Sequence, residues 1–242
     1  MSVVGVVLAG RRNEGRLRAE PGAYEALIPI AGRPMGAWVV AALLPLCARV
    51  AVVGPDGLGA PAVAPGASLL ENMRRGFAAV EPADEILVAT GDAPLLTEPG
   101  VAQLLARSRA AGACVGYPIV PRSACEAAFP GTRRTYVRAD GRQYTGGNCI
   151  YVRADGAAPL LAEVEAFYRA RKNPLRLAGL FGLGTILALL AGRARIATLE
   201  ANASRRLGVA ARGIVCDEAG VGVDCDKPED LALARAVLAG RS

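Results

Sequence analysis

There is no histidine anywhere in the chain. That absence removes imidazole as an acid, base or metal ligand, so Ser-His-Asp and Cys-His triads are excluded. The six cysteines form no C-x-x-C pair, which leaves a Cys/His zinc site without its usual ligand set. Lysine is almost missing too, standing only at Lys172 and Lys227, so the formal net charge of +6 is carried by arginine and is scattered along the chain. Aromatic residues make up 5%, too few to build base-stacking platforms. Scattered charge and scarce aromatics together argue against a nucleic-acid partner. Arginine instead suits phosphate on a small anionic substrate, through its planar fork. No G-x-x-x-x-G-K-[ST] occurs, and Gly54-Pro55-Asp56-Gly57-Leu58-Gly59 is not a dinucleotide fingerprint. No basic segment precedes the N-terminal apolar run, so no signal peptide is expected.

Apolar residues make up 52% of 242 residues, enough for a sizeable core. We expect one domain over 1–242 with a small lobe around 121–200. The cysteines at Cys47, Cys114, Cys125, Cys149, Cys216 and Cys225 sit mostly in apolar runs. They read as buried small hydrophobes in a reducing compartment, which predicts a cytoplasmic protein. The uncharged run Leu177–Gly192 is shorter than the roughly 20 residues that span a bilayer. It predicts a helix packed on the protein or on a second subunit, with a homodimer and a surface-lying membrane contact as the alternatives it leaves open.

Along the chain, β-branched runs alternate with helical stretches. Strands are expected at Ser2–Ala9, Val50–Val53, Glu85–Ala89 and Ala113–Val120, with helices at Pro34–Leu46, from Ser68 to about Val80, and at Pro99–Ala111. Ser68 with Glu71 reads as a capping box. Two β-like runs around a Gly-rich turn in 133–152 suggest an antiparallel edge or lobe. Further on, 159–190 reads as helix split at Asn173-Pro174, Arg195–Leu199 as a weak strand, Gly220–Cys225 as a strand, and Pro228 to about Ala239 as a helix. The alternation in the first half predicts βαβ units and an α/β fold with a mainly parallel sheet. In such sheets ligands sit beyond the carboxyl ends of the strands. That rule selects the loops after Ala9, Ala89 and Val223.

Each of those loops carries polar chemistry. After Leu8-Ala9-Gly10 come Arg11, Arg12, Arg16 and Arg18. A glycine lets the backbone approach a ligand, and amides with guanidiniums can cradle phosphates, although the same loop could simply be solvated. Gly91-Asp92-Ala93-Pro94 puts a carboxylate at a strand end, where it could hold magnesium against phosphate oxygens or cap a helix. Asp224 and Asp226 are two apart and would share one face of a strand, unless Asp226 only caps the last helix. Gly146-Gly147-Asn148 offers an amide to a second substrate or forms a tight turn.

In this order the segments Leu8–Gly10, Pro29–Met35 (PIAGRPM), Gly91–Leu96 (GDAPLL) and Val223–Leu231 (VDCDKPEDL) resemble the MobA-like nucleotidyltransferases. That superfamily includes molybdenum-cofactor guanylyltransferase, sugar-1-phosphate uridylyltransferases and methylerythritol-phosphate cytidylyltransferases. The resemblance implies a three-layer α/β/α GT-A fold and magnesium-dependent transfer of a nucleotidyl group from a nucleoside triphosphate to a phosphorylated small-molecule acceptor. By position, Leu8, Ala9, Gly10, Arg12, Ser68 and Gly91 would contact the nucleotide. Asp92 and Asp226 would bind the metal, with Asp224 as fallback, and Gly147 and Asn148 would bind the acceptor. Two positions depart from the family pattern: Arg11 stands where the family has a second glycine, and Glu25 where it has a lysine. Arg16 is the expected replacement for that lysine's charge. The competing readings are a nucleotide-binding regulatory relative without turnover, and a GT-A glycosyltransferase using Asp224-Cys225-Asp226 as its D-x-D.

Overall fold

The computed structural model describes residues 1–170, 188–189 and 191–240. Its centre is β1 (Val3–Leu8), a run of β-branched residues buried on both faces, as expected of an inner parallel strand. On one side β1 pairs in parallel with β4 (Arg49–Val53), which pairs in parallel with the two-residue β5 (Ala62–Val63). On the other side it pairs in parallel with β6 (Glu85–Thr90). A small hairpin of β2 (Pro29–Ile30) and β3 (Arg33–Pro34) stands apart.

Beyond β6 the sheet becomes mixed. Its next strand is β10 (Cys149–Arg153), antiparallel to both β6 and β7 (Val115–Pro121). Strand β9 (Arg142–Gly146) also runs antiparallel to β7 and carries β8 (Val137–Ala139). The far edge of β7 takes β11 (Ala211–Val215) in parallel. The run Cys149–Arg153, expected as an edge or lobe, is therefore an interior strand. Its sequence CIYV is apolar on both faces, which suits a central position better than an edge.

Alternation along β1 divides the core into two layers. Val4 and Val6 face a cluster containing Met73 and Phe77 of α2 (Leu69–Val80), which α5 (Ala154–Ala170) joins through Leu160 and Leu161. Val3 and Val7 face the opposite cluster, with Val39 and Leu43 of α1 (Met35–Leu43) and Val101 and Leu104 of α3 (Glu98–Ala110). Helices thus cover both faces, giving the α/β/α architecture that the family resemblance implies. A third cluster joins α7 (Pro228–Ala239), through Leu231, Ala234 and Leu238, to Ile28, Ile30, Met35 and Leu95.

Local signals explain the helix ends. The Ser68 hydroxyl accepts from Glu71 N at 3.1 Å, while the Glu71 carboxylate reaches Ala67 N rather than completing the expected reciprocal box. Thr97 caps α3 by accepting from Gly100 N at 3.2 Å. Two strand expectations fail. Arg195–Leu199 is not a strand but the start of α6 (Ile196–Leu207). Ile196, Leu199, Ala203 and Leu207 make one helical face, and Gly208 closes the helix at φ 69°. Gly220–Cys225 is not a ladder strand: Ala219–Gly222 forms a 3-10 turn and the chain then runs extended. The short helix α4 (Arg122–Ala128) and the strand β11 were not anticipated.

The expected split at Asn173-Pro174 and most of Leu177–Gly192 lie outside the described residues. Of the latter, Leu189 packs beside Ala139, Tyr144 and Ala194. Among the described residues no helix is long and apolar enough to cross a membrane. All six cysteines are unpaired, five of them buried.

One ion pair ties α3 to the middle of the sheet. Glu85 is fully buried at the start of β6, where it accepts from Arg109 Nε at 2.9 Å and from the Tyr151 hydroxyl at 2.7 Å. The hydrogen-bonded Arg109 guanidinium is the main reason its carboxyl is held below the ordinary value of 4.5. A lowered carboxyl pKa means that the unfolded chain binds the proton more readily, so this stabilisation is present above pH 4.5 and lost as pH falls below it. Glu85→Gln should therefore cost about 2 kcal/mol at neutral pH. Urea denaturation at pH 7 and pH 3.5 should show a smaller acid-induced loss in the variant than in the wild type.

Candidate active site

The site forms where β1 and β6 end. Leu8 O accepts from Gly91 N at 2.9 Å, and Ala9 N donates to Val53 O at the end of β4 at 2.8 Å, so the pairing of β1 with both neighbours continues past its end. The approach is close enough to demand glycine. A Cβ on Gly91 would lie 2.9 Å from Ala9 Cβ, and one on Gly10 would lie 2.7 Å from Pro65 Cβ. Cys225 N donates to Asp92 O at 2.8 Å, which draws the C-terminal acidic run onto the end of β6. In the same way Asn148 N donates to Val221 O at 2.8 Å, while Thr90 N donates to Asn148 O at 2.9 Å.

These backbone links bring Asp92, Asp224 and Asp226 together. Each offers a carboxylate oxygen, and the three atoms lie within 4.8 Å of one another. Burial is the main cause that pushes Asp92 above its ordinary pKa, with the negative charges of Asp224 and Asp226 adding to it. Burial also raises Asp224, against the opposing pull of Arg134. Asp92 Oδ1 is buried with no hydrogen-bond partner. An orphaned carboxylate oxygen beside two further carboxylates is a donor set that fits a hard divalent cation.

Two arginines enter this cluster, and neither was singled out as its partner from the sequence. Arg134, almost buried, pairs with the Asp224 carboxylate, donates to Asp224 O at 2.7 Å and reaches Asp230 at 3.4 Å. Asp224 is thereby committed to a guanidinium, whereas Asp92 and Asp226 face Arg11. Arg11 Nη1 lies 2.7 Å from Asp226 Oδ1 and 3.8 Å from Asp92 Oδ2, and Arg11 Nε lies 3.1 Å from Glu25 Oε2. Burial works against the Arg11 charge, but the hydrogen bond to Asp226 and the field of Glu25, Asp226 and Asp92 outweigh it and hold the guanidinium above its ordinary value. Glu25 is 3% exposed, and burial raises its carboxyl.

The other expected residues are placed as follows. Arg12 stacks on Tyr24, 4.5 Å from the ring centre. Ser68 spends its hydroxyl on the α2 cap. Asp226 does not cap α7: Lys227 holds that position, with Asp230 accepting from Lys227 N at 3.1 Å. Arg16, Gly147 and Asn148 line one cavity of about 410 Å³ together with Asp224 and Asp226. Arg133, Arg134 and Lys227 add positive charge to its wall. The Asn148 amide donates to Val221 O at 3.4 Å. No local motif marks Arg133 or Arg134, because the polar run 130–135 becomes part of the site only when the chain folds back onto Asp224.

A sequence model of the MobA-like NTP transferase domain matches residues 5–208. The chain belongs to the MobA-like NTP transferase family. This MobA-like NTP transferase is 40% identical to a hypothetical transferase from Thermus thermophilus, with a TM-score of 0.86 over 96% of this chain and 100% of that one. A CMP:2-keto-3-deoxy-manno-octonic acid synthetase solved with CTP is 19% identical, with a TM-score of 0.65 over the whole of both chains. A 2-C-methyl-D-erythritol 4-phosphate cytidylyltransferase, also from Thermus thermophilus, is 20% identical, with a TM-score of 0.58 over 98% of each chain. At these lower identities the likeness is one of fold. Comparison with curated proteins finds no match. The family match includes the Gly10 loop and Asp92 but stops before Asp224 and Asp226, which reach the site through the Cys225–Asp92 hydrogen bond.

Arg134 is the most buried cation of the site, and its removal would leave Asp224 and Asp230 facing each other uncompensated. Arg134→Ala should destabilise the protein by roughly 2–3 kcal/mol, below the usual range for fully buried pairs because Asp224 is part-exposed. Urea denaturation at neutral pH checks this, and an unchanged midpoint would mean that solvent already screens the pair.

Proposed function

We propose that this chain is a magnesium-dependent nucleotidyltransferase that moves an NMP group from a nucleoside triphosphate to the phosphate of a small acceptor, releasing pyrophosphate. The observation that carries this reading is the meeting of Asp92, Asp224 and Asp226 at the carboxyl end of β6, beside a cavity walled by Arg16, Arg133, Arg134 and Lys227. Carboxylates on one side and cations on the other suit a reaction that joins a metal-bound triphosphate to a second anion.

Asp92 and Asp226 would hold the metal, since Asp224 is engaged by Arg134. Bound magnesium would neutralise phosphate oxygens and stabilise the charge that builds on the departing pyrophosphate. The loop Leu8-Ala9-Gly10 with Gly91 offers backbone at close range, because neither glycine has room for a side chain. Asn148 and the cations of the cavity would bind and orient the acceptor. Its phosphate oxygen forms the new bond to the α-phosphorus as the bond from that phosphorus to the bridging oxygen breaks. An acceptor phosphate is already ionised at neutral pH, so the step needs no protein base, and a chain without histidine can run it by positioning and charge.

A glycosyltransferase D-x-D would rest on Asp224 and Asp226 alone. The inclusion of Asp92 from β6, and the engagement of Asp224 by Arg134, favour the nucleotidyl reading. The regulatory reading draws on Arg11, whose guanidinium lies on the carboxylates a metal would use. Pyrophosphate release measured with each common nucleoside triphosphate, across phosphorylated acceptors, separates the two. CTP is the first choice, being the nucleotide bound in one fold relative. Triphosphate binding without pyrophosphate release on any acceptor would favour the regulator.

Asp92→Asn should lower magnesium-dependent turnover by about a hundredfold or more while leaving the fold intact, since charge is lost but little volume. Asp226→Asn should act in the same direction but less severely. Asn148→Ala should lower turnover at subsaturating acceptor by about tenfold and leave triphosphate affinity unchanged. Titration calorimetry beside the turnover assay reads both quantities. An Asp92→Asn variant with full magnesium-dependent affinity would place the metal elsewhere.

A further inference from the structure

Resting on the nucleotidyltransferase reading, we propose that Arg11 is the guanidinium that receives the nucleotide's phosphates, that it yields Asp226 to the metal in doing so, and that Glu25 is its positioning residue. Four loop arginines follow β1, and the fold gives three of them different surroundings. Arg12 is stacked on Tyr24. Arg16 faces the cavity shared with Gly147 and Asn148, on the acceptor side. Arg11 alone among the described residues forms ion pairs with Asp92 and Asp226.

Its geometry is that of a tethered cation. Glu25 N donates to Arg11 O at 3.0 Å, which fixes the backbone. Arg11 Nε rests 3.1 Å from the carboxylate of Glu25, whose side chain is 4% exposed, while that of Arg11 is 58% exposed. The root of the guanidinium therefore rests on a buried wall, and its Nη1 lies against the carboxylates of Asp226 and Asp92 at the mouth. A divalent cation on Asp92 and Asp226 would sit against the same Asp226 carboxylate that Arg11 Nη1 now holds at 2.7 Å. Metal and Arg11 compete for it. Around Arg11 stand three carboxylates, Glu25, Asp92 and Asp226, more than one guanidinium can offset. Once the metal is seated, the outer nitrogens of Arg11 are released within reach of a phosphate bound to that metal, and the Glu25 tether keeps them there. A planar fork held from behind is well suited to a phosphate.

Competition and phosphate binding predict effects of opposite sign in one variant. Manganese binding without nucleotide is read by electron paramagnetic resonance. Triphosphate binding is read by calorimetry with magnesium and a non-hydrolysable α,β-methylene analogue of the best-bound nucleotide. Arg11→Ala should bind manganese about threefold or more tighter and the triphosphate about tenfold or more weaker. Arg11→Lys should bring manganese affinity back toward the wild type and recover only part of the triphosphate affinity, keeping the charge but losing the fork. Glu25→Gln should weaken triphosphate binding severalfold in the wild-type background and should not weaken it further in Arg11→Ala. Thermal melts of each variant establish that it folds, and Arg11 is exposed enough for its replacement to be tolerated. The inference is overturned if Arg11→Ala loses affinity for both ligands, the mark of a merely structural role. It is equally overturned if that variant binds the triphosphate within twofold of the wild type. If the wild type itself binds none of the common nucleoside triphosphates, the parent reading fails and takes this one with it, an outcome distinct from normal wild-type binding with an unchanged variant.

Discussion

The hydrogen bond from Cys225 N to Asp92 O spans 133 positions of sequence and 2.8 Å of space. Without it the acidic run Asp224–Asp226 would be only a polar lead-in to the last helix. With it, that run lies against the end of β6, and three carboxylates share a volume in which their oxygens are within 4.8 Å. Such a cluster is costly by itself, because burial and mutual repulsion both disfavour the ionised forms. The surrounding structure answers that cost with Arg134 on Asp224 and Arg11 on Asp226 and Asp92. The folded stability of this end of the sheet and the charge of the cluster follow from that balance.

The two arginines divide the work. Arg134 is nearly enclosed and also reaches Asp230, so it stiffens the start of α7 and holds Asp224 in a fixed place. Arg11 is more than half exposed and is held at its root by Glu25, so it can change partners at its tip without leaving the site. A buried pair of this kind fixes geometry, and an exposed one can be exchanged with a ligand.

The unusual course of the sheet serves the same end. Because β10 runs antiparallel between β6 and β7, the Gly146-Gly147-Asn148 turn that precedes it emerges at the carboxyl end of β6, beside Asp92. A parallel strand in that position would present its carboxyl end there and carry the preceding turn to the opposite rim. Thr90, Asn148 and Val221 are then joined in one chain of backbone hydrogen bonds, which places the cavity lined by Gly147 and Asn148 next to the carboxylates.

The β-branched runs, the glycines at strand ends, the Ser68 cap and the final helix beginning at Pro228 are local features, and the sequence by itself determined them. The apolar pattern of a strand and the capping of a helix depend on residues only a few positions apart. The order of the Leu8–Gly10, Gly91–Leu96 and Val223–Leu231 segments also pointed to the family. What the sequence could not determine was which strand lies beside which: CIYV carries the same apolar pattern whether at an edge or in the interior, and Ile196–Leu199 is too short to separate strand from helix without the later apolar positions Ala203 and Leu207. The tertiary structure alone brought Arg11 to Asp92 and Asp226, and Arg134 to Asp224. Charges in sequence carry no direction. A guanidinium on a long, flexible side chain can meet any carboxylate that the backbone brings within reach, and which one that is depends on hydrogen bonds between residues more than a hundred positions apart.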